Sequence, residues 1–174
     1  MIVRDATHND VPAIARVHVE TWRTTYRGII PDEYLANLSF DKRESGWHQI
    51  LNDAAENSNF TYVAEDESGQ IVGFANAGVE RTGDLVYKGE LNAIYILESH
   101  QRKGIGRYLV RAVVEKLGQA GIHSMLVWVL ADNPACRFYA ALGGQAVYEK
   151  EVEEGSATLI EVAYGWVSTA SFRS

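Results

Sequence analysis

Two apolar strand patterns separated by one amphipathic helix pattern constrain this chain most. Residues 90–97 end in a near-continuous apolar run, Ile94-Tyr95-Ile96-Leu97. Ile105, Leu109, Ala112, Val113 and Leu117 then recur at helical spacing, which predicts a helix from about Gly104 to Leu117, closed by Gly118 and Gly121. His123 to Leu130 is almost uniformly apolar and reads as a strand buried on both faces. Strand, helix and strand in that order require a parallel pair joined by a right-handed crossover.

The remaining patterns add antiparallel structure around this unit. Residues 2–6 read as a short strand. Val11, Ile14, Ala15, His18 and Trp22 mark a helix over 11–27, with Pro12 in its first turn and Gly28 as its stop. Pro31-Asp32-Glu33 opens a short helix to about Asn37, and Ser39 opens another through Leu51. Residues 60–65 and 70–79 form a hairpin about Ser68-Gly69. Pro134 to Leu142 is a short helix stopped by Gly143-Gly144, and 145–150 and 159–166 are closing strands. The expected fold is α/β (α+β): a mixed, mostly antiparallel central sheet of about seven strands flanked by helices. No linker or repeat divides residues 1–174, so a single domain is expected.

The composition is that of a soluble globular chain, 47% apolar and 22% charged. No apolar run approaches the ~20 residues of a membrane helix, and no secretory signal is visible at the start. Sixteen basic against 23 acidic residues give a net charge of −7, which argues against a nucleic-acid partner. The one cysteine, Cys136, excludes an internal disulfide, and a reducing, cytoplasmic location follows as the expectation. His48, His100 and His123 lack metal-ligand spacing, and no metal site is read.

The segment that carries chemistry is Gln101-Arg102-Lys103-Gly104-Ile105-Gly106-Arg107, between a strand and the long helix. Two glycines one residue apart allow a tight turn and a close approach to backbone amides. Unpaired N–H groups and the helix dipole favour an anion there, and three basic side chains reinforce that field. A phosphate or pyrophosphate site follows, and a solvated basic turn is the plainer alternative. The segment is neither a Walker loop nor a dinucleotide fingerprint, since it lacks the G-K-[ST] ending and the third glycine.

In its surroundings this segment resembles the GNAT (Gcn5-related) N-acetyltransferase superfamily. Gln101, Gly104 and Gly106 match its [QR]-x-x-G-x-[GA] signature, and Asn133 and Tyr139 match its second landmark after the following strand. The resemblance implies an acetyl-CoA-dependent N-acetyltransferase acting by direct transfer to a primary amine of a small molecule or peptide. It implies that the loop 102–107 holds the pyrophosphate, with Gln101 in the same signature. Ile94, Tyr95, Ile96 and Leu97 would flank the pantetheine arm along a splayed or bulged strand. Asn133 would bond that arm, and Tyr139 would give a proton to the departing sulfur. A backbone N–H near Ile96 would serve as oxyanion donor.

Glu90, at the start of the central strand, is the implied general base, against the alternative of a solvent-exposed strand-end carboxylate. The stretch before Asn133 holds no carboxylate and leaves Trp128 as an aromatic wall. The first helices and the strand near Asn76 would supply the acceptor side. Trp22 and Tyr26 are candidates to line it, with Tyr34 beside them, while core packing is the competing role for Trp22. His18 reads as a packed helix residue and Cys136 as a buried small hydrophobe. The resemblance also implies a homodimer. The rival function is a noncatalytic acyl-CoA-binding module, which would keep the glycine loop and need neither Tyr139 nor a base.

Overall fold

A computed structural model of the chain describes residues 1–172. Seven strands form one sheet in the order β1-β2-β3-β4-β5-β7-β6. They are β1 (Ile2–Asp5), β2 (Asn59–Glu65), β3 (Ile71–Val79), β4 (Gly89–Ile96), β5 (Met125–Leu130), β6 (Gln145–Glu154) and β7 (Ala157–Trp166). The helices are α1 (Val11–Thr25), α2 (Asp32–Ala36), α3 (Phe40–Asn52), α4 (Ile105–Gln119) and α5 (Ala135–Ala141).

Each boundary has a local cause. Asp10 accepts a hydrogen bond from the Thr7 amide at 2.8 Å, and Arg4 holds the same carboxylate through both guanidinium nitrogens at 2.8 and 2.9 Å, just ahead of α1. That ion pair, with the help of its hydrogen bonds, keeps Asp10 below the ordinary carboxylate range. Ser39 caps α3 by accepting from the Lys42 amide at 3.2 Å. α1 ends at Thr25 with Tyr26 as its C-cap, ahead of the expected stop at Gly28, which turns the chain beyond it at φ 81°.

Only β4 and β5 run parallel, as the crossover through α4 requires, and their pairing ends early. Gly89, Glu90 and Leu91 pair with Met125, Leu126 and Val127, and no register continues beyond them. β4 stays paired with β3 throughout, but Leu91 faces Ala77 and Ala93 faces Asn76, so Asn92 is an extra residue. This bulge bends β4 away from β5. Two strands that part inside a sheet leave a cleft walled by their own backbones, and the cleft opens toward their C-terminal ends.

The core under the cleft is continuous. Val11, Ile14 and Val17 of α1, Phe74 of β3, Leu91 of β4, Leu109 and Val113 of α4 and Leu142 after α5 are all inaccessible to solvent. Trp166 closes the far end of the core, where its Nε1 donates to the Leu142 carbonyl at 3.1 Å. The closing hairpin is longer than the sequence pattern indicates: β6 runs to Glu154 rather than Lys150, and Gly155 turns the chain at φ 64°. Among the described residues no helix is long and apolar enough to cross a membrane.

Candidate active site

A cavity of about 780 Å³ fills the cleft. It is walled by Asn92–Ile96 of β4, Val127–Leu130 of β5, the C-terminal turns of α1, the first turn of α4, and α5. The divergence of β4 from β5 gives it two sides, one toward α4 and α5 and the other toward α1 and the β6–β7 hairpin.

On the first side the glycine loop is held in place from both ends. Gln101 Nε2 donates to the Ile96 carbonyl at 2.9 Å and ties the loop to the end of β4. Gly104 caps α4 in the left-handed conformation, φ 84°, and no side chain caps this N-terminus. Arg102 also has positive φ, 62°. Gly106 lies under the helix start, where an added Cβ would fall 3.0 Å from Phe138 Cζ and 3.3 Å from Ile96 Cδ1. The missing side chain lets the first turn of α4 sit this deeply on α5 and β4, and even a methyl group would make Phe138 shift. The outcome is a helix N-terminus, uncapped by any side chain, that opens on the cavity, the kind of end that suits an anion.

Asn133 uses its carbonyl oxygen to accept from the Ala135 amide at 2.9 Å, which starts α5, and its Nδ2 donates to the Tyr26 hydroxyl at 3.3 Å. The Tyr26 and Tyr95 hydroxyls lie 3.3 Å apart. This chain joins α1, β4 and the turn before α5 across the cavity. Tyr139 is buried beside Phe138, Tyr164 and Trp166, and that burial pushes its phenol well above the ordinary tyrosine value. Its hydroxyl therefore stays protonated across the whole working pH range. Asn92 donates from Nδ2 to Asn76 Oδ1 at 3.0 Å, while its own buried Oδ1 has no partner among the described residues. An orphan acceptor in the wall and a cradle that a Cβ would fill both fit a polyanionic ligand with an extended, amide-bearing arm.

Most residues expected at the site meet here. Ile94, Tyr95, Ile96, Gln101, Arg102, Gly104, Ile105, Gly106, Arg107, Asn133, Tyr139, Trp22 and Tyr26 all line the cavity. Leu97 and Lys103 do not: Leu97 turns into the core, and Lys103 points to solvent at the top of the loop.

Glu90 is the main correction. It does not line the cavity, and it is not the exposed strand-end group of the alternative reading either. Its side chain is 3% exposed and bound to Arg81 through Nε at 3.2 Å and Nη2 at 2.8 Å. It lies in the paired segment of β4, before the bulge, and so on the closed side of the cleft. A carboxylate held by a guanidinium is an anchor for the 80–90 loop, not a free base. Glu90→Gln is expected to cost about 2–3 kcal/mol, the range of a charged hydrogen bond. Urea unfolding measures it, and the pH profile of kcat should keep its shape.

His18 behaves as a packed residue. It stacks on Tyr95 with centroids 5.5 Å apart, meets Trp22, Trp47 and Phe74, and accepts at Nδ1 from Trp47 Nε1 at 3.1 Å. Burial, with the Arg43 charge adding to it, lowers its pKa from 6.5 to about 3. The unfolded chain binds this proton near pH 6.5 and the fold refuses it down to about pH 3, so stability is complete above that window and falls as pH drops through it. Wild type should lose up to ~1.4 kcal/mol per pH unit more than His18→Gln between those limits, read from urea unfolding at pH 7 and pH 5.

Cys136 is half-buried rather than buried, and burial raises its thiol above the ordinary value. A thiol held protonated is a poor nucleophile, which agrees with direct transfer.

Sequence reasoning missed Glu154 and Glu161, the carboxylates on the hairpin side of the cavity. Glu154 accepts from the Tyr34 hydroxyl at 3.2 Å, which places Tyr34 behind the wall rather than in it. Burial raises the Glu161 pKa, and the Lys150 charge opposes that shift. Glu154 lies on the edge strand β6, where charges are common, and Glu161 on the internal strand β7 among alternating residues, so neither gave a local signal.

Comparison with known proteins agrees with this geometry. The profile described as the Acetyltransferase (GNAT) family matches residues 18–143. An uncharacterised N-acetyltransferase of Bacillus subtilis, YuaI, is 40% identical over 172 residues, covering 99% of this chain and 96% of the relative. A spermidine N(1)-acetyltransferase of Thermoplasma acidophilum is 22% identical over 166 residues, covering 93% of this chain and 96% of the relative. The solved PaiA N-acetyltransferase of Thermoplasma acidophilum, in complex with coenzyme A, superposes with a TM-score of 0.72 at 21% identity, covering 92% of this chain and 96% of that one. None of these favours a noncatalytic module. The chain belongs to the GNAT acetyltransferase family, as an N-acetyltransferase with acetyl-CoA as its co-substrate.

Proposed function

We propose that this single domain acetylates a cationic primary amine in the cleft between β4 and β5. The observation that carries the reading is the two-sided cavity: a helix N-terminus, Asn133 and Tyr139 on one side, and Glu154 and Glu161 on the other. When bound, acetyl-CoA supplies a thioester carbonyl and a thiol leaving group. The first turn of α4 and Arg102 bind its phosphates, and Arg107 adds charge at the same helix start. Asn133 orients the arm from the turn before α5. Tyr139, neutral by burial, holds a proton at its hydroxyl and delivers it to the leaving sulfur.

Trp22 and Tyr26 line the acceptor entrance. The two carboxylates raise the local concentration of a cation, as charged cleft walls do. The ammonium first gives a proton to water, the neutral amine forms the C–N bond through its lone pair as the C–S bond breaks, and the proton that the nitrogen then loses replaces the one Tyr139 gives to the sulfur. The Thermoplasma relative carries spermidine in its name, which is consistent with a cationic acceptor here. The reading places the protein in the cytoplasm, where Cys136 stays reduced, and as a homodimer, which light scattering tests.

The test is an acetyl-CoA-dependent screen of amines, read as free thiol released. Cationic alkylamines should be turned over ahead of zwitterionic amino acids. A protein that binds acetyl-CoA by calorimetry yet releases no thiol with any amine overturns the reading.

A further inference from the structure

Beside the hairpin wall of the cavity stands a cation of the protein's own, Lys150. Lys150 Nζ sits 4.0 Å from the centroid of the Trp128 ring and 3.7 Å from Glu161 Oε1. Tyr148 stacks on the other part of this patch, with its ring centroid 6.3 Å from that of Trp128 at an interplanar angle of 24°. Trp128 and Glu161 line the cavity, and Lys150 reaches over them from the outer strand β6.

The register explains the meeting. Lys150 pairs with Glu161 across β6 and β7, while Trp128 pairs with Ala163 across β5 and β7. An indole face next to a carboxylate is the combination that recognises an alkylammonium. Here the ammonium comes from the protein. Its side chain is 47% exposed, on a flexible stem, and an ion pair of this kind is weak. A ligand ammonium can therefore replace it. Glu161 gains from any such cation, because its burial disfavours the bare charge, and Glu154 and Arg81 act on it in opposite directions.

We propose that the Trp128 face and the Glu161 carboxylate form a subsite for a second ammonium group of the acceptor, and that Lys150 fills it as a tethered competitor until the acceptor arrives. The inference rests on the cationic-amine reading and narrows it. The acceptor is a diamine or longer polyamine, with one nitrogen at the reaction centre and another over Trp128. Lys150 sets selectivity, since a monoamine has no second charge with which to displace it.

The experiment measures thiol release with 1,4-diaminobutane and with butylamine, for wild type, Lys150→Gln, Lys150→Arg and Glu161→Gln, each checked by thermal melting. Lys150→Gln should lower the KM for the diamine by roughly three- to tenfold and leave that for butylamine within about twofold, as expected for removal of a half-exposed cation. Lys150→Arg should stay near wild type. Glu161→Gln should raise the diamine KM by about tenfold and is the second arm if Lys150→Gln does not fold. Equal shifts for both amines, or unchanged KM values in Lys150→Gln with wild-type turnover of both, overturn the subsite alone. Turnover of neither amine by a wild type that still acetylates another amine class overturns the cationic reading and the subsite with it.

Discussion

Gly106→Val is expected to weaken acetyl-CoA binding by about a hundredfold or more while the chain still folds. The first atom added at this position already lies 3.0 Å from Phe138 and 3.3 Å from Ile96, and a branched side chain pushes further into both. α4 cannot retreat freely, because Leu109, Val110 and Val113 are locked into the core behind it. The strain therefore falls on the first turn and on the loop that Gln101 ties to β4. Overpacking of this kind costs ~1–3 kcal/mol of stability. Loss of two charge-assisted backbone bonds costs roughly 3–6 kcal/mol of binding, which is at least ~10²-fold in Kd. Gly106→Ala should fall between, since Phe138 needs to move only a few tenths of an ångström. Calorimetric titration with acetyl-CoA and a thermal melt separate the two effects. Binding within about threefold of wild type in a folded Gly106→Val protein would reject the role of the loop.

Tyr139→Phe should lower kcat by ~10²- to 10⁴-fold, the range of a lost general acid, with little change in the affinity for acetyl-CoA. The ring stays, so its contacts with Phe138, Tyr164 and Trp166 survive and the fold should be intact. Burial raises the phenol above its ordinary value and keeps it protonated between turnovers. The alkaline limb of kcat should therefore show no ionisation assignable to Tyr139. A kcat within threefold of wild type would remove the tyrosine from the chemistry.

The parts of the site that were legible in the sequence are contiguous in the chain. Gln101 to Arg107 and Asn133 to Ala135 are set by local backbone geometry: a left-handed Gly104, a side-chain-free Gly106, and an Asn133 that opens the next helix. Such roles leave a residue pattern at short spacing. The hydrophobic periodicities likewise placed the seven strands and five helices, with most boundaries displaced by a residue or two. The exception was the closing hairpin. Glu151, Glu153 and Glu154 read as loop, yet they belong to β6, an outer strand on which Glu151 and Glu153 face solvent while Glu154 turns to the cavity.

What the sequence by itself determined is the set of elements, the single parallel crossover, and the glycine-built start of α4, all of which depend on the chemistry of near neighbours. Only the tertiary structure decided where the carboxylates go. Glu90 was assigned to catalysis from its place in a strand, but the loop after β3 brings Arg81 onto it and makes it an anchor. Glu154 and Glu161 carried no mark in the chain, and the pairing of β5, β7 and β6 places them on the hairpin side of the cavity, with Trp128 and Lys150 beside Glu161. The physical reason is the same in each case. The role of a charge depends on its partner and on its access to water, and both are fixed by strand register and by the divergence of β4 from β5 rather than by sequence spacing.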